Sequence, residues 1–164
     1  MAWSPSRAVL TARTIPETLF EFFETNQEDA LTWAGGTNLK KIKTFAQTVA
    51  ARSNPVYPLL LLVDDNDAQD LGDDIIGGAY SCTFELGLTN RNPETLVSEA
   101  RKYTKAICSM IANCPLTTNT GATVATVQTI EVGFLDVKTN KAENEFYQEV
   151  QIKITCTLTG NAHI

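Results

Sequence analysis

The chain has almost no histidine. Its single one, His163, stands next to last, where chain ends are ordinarily loosely held, so a histidine triad, a histidine metal cluster or a histidine general base is not expected. No cysteine pair has CxxC or other zinc-ligand spacing; Cys82, Cys108, Cys114 and Cys156 stand apart. Cys82 and Cys156 fall on the apolar faces of predicted strands and are expected as reduced core thiols. A Cys82–Cys156 disulfide is the alternative if those strands are neighbours. Long hydrophobic runs are missing too. The longest, Leu59-Leu60-Leu61-Leu62-Val63, suits a buried strand and falls far short of the roughly 20 residues that cross a bilayer. Nothing at Met1–Arg13 has the form of a signal peptide, so a protein made and kept in a cytosol is expected. Positive charge is in short supply, with 13 Lys and Arg against 19 Asp and Glu for a net charge of −6. That argues against a general nucleic-acid binder, which displaces counterions with a basic surface, and leaves room only for a local basic patch. Gly35-Gly36-Thr37 and Gly77-Gly78 complete neither a P-loop nor a dinucleotide fingerprint. No metal, cofactor or catalytic residue is expected.

What is present centres on Tyr80 to Asn113. Tyr80, Cys82, Phe84, Leu86 and Leu88 alternate with Ser81, Thr83, Glu85 and Gly87, the pattern of a strand with one apolar face. The period then lengthens: Leu96, Ala100, Tyr103, Ile107, Met110 and Ile111 recur at helical steps. Asn92 suits the N-cap, Pro93 the first turn and Glu94 the positive end of the dipole. Cys114-Pro115 predicts the stop near Asn113.

Upstream, Thr14-Ile15-Pro16-Glu17 predicts a helix start, followed by Leu19, Phe20, Phe22 and Phe23; Asn26 to Gly36 reads as less regular. Leu39, Ile42, Phe45, Ala46 and Val49 predict a second helix over 39–51, with Lys40, Lys41 and Lys43 off its stripe, as a solvated face or a contact for an acidic partner. The strand 59–63 is predicted to be apolar on both faces. Six acids follow in eleven residues: Asp64, Asp65, Asp67, Asp70, Asp73 and Asp74. An EF-hand loop begun at Asp65 fails, with Asp70 where Gly is needed and Ile76 where a bidentate Glu is needed. The stretch therefore reads as a mobile acidic connection.

Downstream, strands are predicted over 124–137 and 145–158 around a polar tip at 138–144. The last strand exceeds the usual five or six residues, which predicts a hairpin projecting past the sheet as an arm that needs a partner. The sum is a single α+β domain over 1–164: an N-terminal helical segment (1–55), then a sheet with its long helix (56–160). The sheet is expected to be mainly antiparallel and four-stranded, with helices on one face and a long C-terminal β-hairpin. Its second face is polar and free for water or another subunit.

This order of parts resembles the tail terminator (tail-completion) proteins of long-tailed bacteriophages, over roughly Ile15 to Leu158. The likeness lies in the helical segment before Tyr57-Pro58-Leu59-Leu60-Leu61-Leu62-Val63, the charged stretch leading to Tyr80-Ser81-Cys82-Thr83-Phe84-Glu85-Leu86-Gly87-Leu88, the long helix, and the final pair of long strands. The segment around Leu39–Ala51 makes the N-terminal part longer than compact members. The resemblance implies a structural virion protein, not an enzyme. It implies a homo-oligomeric ring, typically hexameric, at the head-proximal end of the tail and assembled in the host cytoplasm. Such a ring caps the tail-tube protein, stops its polymerisation and offers a surface to a head-completion or neck protein, while DNA passes without specific binding and no membrane is involved. On that reading Asp64, Asp65, Asp67, Asp70, Asp73 and Asp74 belong at the lumen or tube-facing rim. Lys138, Lys141, Tyr147, Glu149, Gln151 and Lys153 would contact a subunit or partner, and Lys40, Lys41 and Lys43 would form a basic partner patch. The alternatives are another phage neck or head-completion connector, or a cytosolic α+β ligand-binding domain or enzyme.

Overall fold

The computed structural model describes Trp3 and residues 14–35, 38–48, 56–71, 76–117, 123–140 and 143–159. Two helices, α1 (Ile15–Gly35) and α2 (Pro93–Asn113), cover one face of a mixed six-stranded sheet. The strands are β1 (Thr44–Ala46), β2 (Leu59–Leu71), β3 (Ile76–Asn90), β4 (Ala125–Phe134), β5 (Lys138–Asn140) and β6 (Glu145–Thr159). The class is α+β, as expected. The sheet is not four-stranded and antiparallel: its order is β1-β2-β3-β6-β4, β5 pairs with β6 beyond β4, and β1 runs parallel to β2.

α2 begins and ends where its sequence dictates. The Asn92 side chain accepts hydrogen bonds from the backbone N–H groups of Glu94 and Thr95 at 3.0 and 3.1 Å, and Cys114 closes the last turn. Leu96, Ala100, Tyr103, Ile107, Met110 and Ile111 are buried against Tyr80, Cys82, Phe84, Leu86 and Leu88 of β3 and Val150, Ile152, Ile154, Cys156 and Leu158 of β6.

α1 is longer than expected. Thr14 caps it, accepting from the Glu17 N–H at 3.3 Å, and the helix continues through the polar stretch after Phe23 to Gly35. Asn26 and Gln27 read as interruptions, yet both are buried inside the helix with uses for their amides. Asn26 donates to the Phe22 carbonyl at 3.0 Å, and Gln27 reaches out to Ile42. Phe20 and Phe23 meet Phe84 edge-on at centroid distances of 5.3 and 5.9 Å, which fastens α1 to the sheet.

The helix expected from Leu39 is absent over the described residues 38–48, which form a turn at Asn38, irregular chain to Lys43, β1 and a bend at 47–48. The Gln27 side chain bonds both backbone groups of Ile42, and the Lys43 N–H donates to the Pro58 carbonyl at 2.9 Å. These bonds replace a helical ladder, and the apolar spacing serves a different end: Ile42 is buried and Phe45 packs on Phe20. Residues 49–51 lie outside the described set.

The expected mobile acidic connection is a strand from Asp64 to Leu71, and Asp73 and Asp74 lie outside the described residues. β2 runs on past Val63, shifts register between Leu62 and Asp64, and then pairs with β3 from Asp64↔Thr83 to Leu71↔Ile76. Aspartates are depleted in strands, so the sequence conceals this half of the hairpin; here their backbone is held by pairing with β3. Gly78, at φ 140°, takes a conformation only glycine adopts readily.

β6 does not project as an arm. It pairs with β3 along its length, from Phe146↔Asn90 to Thr159↔Gly77, and with β4 and β5 on its other side. The span 124–137 divides where β4 ends at Phe134, and the Leu135 N–H donates to the Glu149 carbonyl at 3.0 Å. Part of the expected hairpin tip is β5, closed by Asn144 at φ 53°, a left-handed position that Asn tolerates.

Candidate assembly surface

The sheet has two unequal borders. At one, β1 covers only Leu59, Leu60 and Leu61, so among the described residues the rest of β2 has no strand beyond it. At the other, β4 is outermost and pairs on one side only. An uncovered strand offers a row of backbone N–H and C=O groups to any chain that can align with it.

The β4 border is also apolar. Ile130, Val132 and Phe134 are cross-strand partners of Ile154, Ile152 and Val150, and so point to the helix-bearing face. Their partners are fully buried, but Val132 is 39% and Phe134 40% exposed, with Leu135 at 38%. The reason is geometric: α2 lies over β3 and β6 and meets β4 only at its inner side. The Arg101 guanidinium stands over the Phe134 ring at 4.8 Å, a cation–π contact at the surface. Val97, also exposed, lies one helical turn before Arg101. Towards the other end, a groove of about 500 Å³ opens between the end of α2 and β4, lined by Ile111, Cys114, Leu116, Val127 and Ile130 among others.

The acids expected at a lumen or rim share the opposite border. Asp64, Asp65, Asp67 and Asp70 lie on β2; Asp73 and Asp74 lie outside the described residues. Asp64 and Asp65 are exposed. Asp65 is the cross-strand partner of Cys82 and accepts a hydrogen bond from the Tyr80 hydroxyl at 3.3 Å, so it points to the helix side. Burial first, then the negative charge near it, pushes the Tyr80 phenol far above its ordinary range.

Lys40, Lys41 and Lys43 are exposed along the irregular segment before β1, not along a helix. Lys41 pairs with Glu28 of α1 at 2.8 Å, and its hydrogen bond and charge lower the Glu28 carboxyl. The Lys40 carbonyl accepts from the Tyr103 hydroxyl. The segment is thereby tied down from both helices.

The second face of the sheet brings together most of the remaining group. Tyr147, Glu149, Gln151 and Lys153 alternate along β6; Lys138 is the cross-strand partner of Tyr147, and Glu131 that of Lys153. Lys141 lies outside the described residues. The Tyr147 hydroxyl donates to Glu149 Oε1 at 2.7 Å, and its ring meets Tyr57 edge-on at 5.6 Å. Burial, then the hydrogen bond and charge of Glu149, raise this phenol far above its usual range. Gly87 leaves room for Leu59, whose side chain a Cβ there would meet at 3.0 Å. Towards Ala79 this face carries Ser81, Thr126, Thr129, Thr155 and Thr157, small hydroxyl groups in adjacent rows.

A chain in the structure described as "Virion of native gene transfer agent (GTA) particle" is similar in fold. The TM-score is 0.51 at 12% sequence identity, over 90% of this chain and 96% of that one. At that identity the likeness is one of fold. No protein-family model and no curated protein matches the chain.

Among the described residues, no group of three His, Cys, Asp or Glu side chains is arranged to hold a metal ion, and no helix is long and apolar enough to cross a membrane. Cys82 and Cys156 are buried free thiols on adjacent strands. The border at β4 escaped sequence reasoning. The alternation Ile130, Val132, Phe134 marked a strand with one apolar face, but nothing in it said that the helices stop short of covering that face.

Proposed function

We propose that this chain is a structural subunit of a phage-type virion, a tail terminator that closes into a ring, caps the tail tube, stops its growth and presents a surface to the head. The observation that carries the reading is the β4 border: among the described residues, a bare strand edge beside exposed Val132, Phe134 and Leu135. A monomer gains nothing from such a strip, and apolar surface of this kind marks an association site. Two unlike borders on one subunit are what a ring needs, since a heterologous contact closes when its rotation does. The fold likeness to a chain of a gene transfer agent virion supports the same reading, as does the layout of the sequence. The surplus of acid, for a net charge of −6, suits a conduit that DNA traverses without sticking. The far part of β2, with Asp70, and the acids that follow it in sequence, Asp73 and Asp74, are assigned to the lumen or the tube-facing rim.

A neck or head-completion connector is the second reading, because it would use the same ring-forming borders and belongs to the same kind of particle. Mixing the purified protein separately with tail tubes and with DNA-filled heads, then imaging both by negative stain, tests the two. Density at one tube end with arrested elongation supports the terminator; density on heads alone supports the connector; binding to neither overturns both.

A further inference from the structure

We infer that the ring contact is a continuation of the sheet: β4 of one copy pairs antiparallel with the bare outer part of β2 of the next, with Arg101 of the first facing Asp65 of the second. This rests on the ring reading above and names its interface.

Strand direction makes the first argument. β3 is antiparallel to β2, β6 to β3 and β4 to β6, so β4 and β2, at the two borders, run in opposite senses. A copy brought alongside by a ring rotation, which keeps the helix faces on one side, therefore sets its β2 antiparallel to the first copy's β4. Antiparallel pairing is the more stable kind, and no strand needs to reverse. Length fits as well. β1 pairs with three of the thirteen residues of β2, leaving ten against the ten of β4.

Charge selects the partner border. α1, which packs by Phe20 against Phe45 of β1 on the β2 side, carries Glu17, Glu21, Glu24, Glu28 and Asp29 and no Lys or Arg. α2 holds Arg101 over Phe134 on the β4 side, while Lys102 and Lys105 turn towards α1, Lys102 beside Gly35 and Lys105 over the Trp33 ring at 4.6 Å. Arg101 thus puts positive charge at the β4 border, and Asp64 and Asp65 put negative charge at the β2 border. Joining unlike borders sets Arg101, already held over Phe134, against Asp65 on the same face of the continued sheet. Joining two β4 borders would set Arg101 near a second Arg101, and joining two β2 borders would oppose their aspartates. Val132, Phe134 and Leu135 lose their water in the contact, and the bare edges of both strands gain backbone partners.

The test uses the full chain. Val132→Lys and Arg101→Glu alter exposed side chains, so each variant should keep the circular dichroism spectrum and unfolding midpoint of the wild type. Each is expected to raise the concentration for half-assembly, read by native mass spectrometry, by roughly tenfold or more. Combining Arg101→Glu with Asp65→Arg should restore most of that loss. In parallel, Gly133, cross-strand partner of Gln151, and Asn66, cross-strand partner of Ser81, both lie on the second face, and a Cβ at Gly133 meets nothing within 4 Å; mixing Gly133→Cys protein with Asn66→Cys protein under oxidation should give mixed dimers whose cross-linked peptides carry one engineered thiol from each. Gly133→Cys homodimers in their place, unchanged assembly in both single variants, or a wild type monomeric at every concentration both alone and with tail tubes overturns the inference. Rings that form without the β4 border sink this interface and leave the virion reading standing. Rings joined through it that bind neither tubes nor heads sink the virion reading alone.

Discussion

Gln27 of α1 holds both backbone groups of Ile42, accepting from its N–H at 2.6 Å and donating to its carbonyl at 3.3 Å. The side chain is buried, so the amide acts as a strand partner for Ile42, which among the described residues lies outside every strand. Replacing Gln27 by Leu leaves both groups of Ile42 unpaired and buried, each at a cost of about 1–3 kcal/mol. Urea unfolding should show a loss of roughly 2–4 kcal/mol at unchanged m-value. A loss under 1 kcal/mol would mean that water replaces the amide and that Gln27 does not organise this segment.

The cap at Asn92 gives a smaller effect. Asn92→Ala removes both capping bonds of α2 and should cost about 1 kcal/mol, whereas Asn92→Gly should cost only a few tenths. In a chain of this size a 1 kcal/mol loss lowers the melting midpoint by about 2–4 °C, a difference calorimetry resolves.

α2 was legible because one segment carries all its own signals: cap, first-turn proline, stripe and stop lie within Asn92 to Pro115. β3 and β6 were legible for the same reason, their alternation being local. What stayed hidden depends on partners distant in sequence. Leu39, Ile42 and Phe45 fit a helical stripe equally well, and Gln27, fifteen residues away, with the pairing of β1 to β2, decides against it. Asp64 to Asp70 have the composition of a loop, yet β3 pairs with every one of those residues in turn. The assembly surface was the least legible part. Exposure of Val132 and Phe134 follows from where α2 ends its coverage, which no pattern within β4 records.

The buried thiols predict a pH dependence. Burial raises Cys156 from an ordinary 9.0 to about 11, and raises Cys82 further still. Between about pH 9 and 11 the unfolded chain therefore gives up thiol protons that the folded chain keeps, so stability is full below that window and falls as pH rises through it. Denaturant midpoints measured from pH 7 to 11 should decline, and less steeply in Cys156→Ala. At pH 8, a thiol reagent should leave Cys82 and Cys156 unmodified until denaturant unfolds the protein; rapid labelling of either in the native state would contradict their burial.

Self-assembly into a closed ring that caps a tube is the central expectation for this protein. Native mass spectrometry across a concentration series, with and without tail tubes and with negative-stain images of the same samples, tests it most directly. The prediction is a single closed oligomer with a central hole, six subunits being the expected number, formed alone or on the tube end. A protein that stays monomeric in both conditions, or that forms open-ended chains with no preferred size, contradicts it.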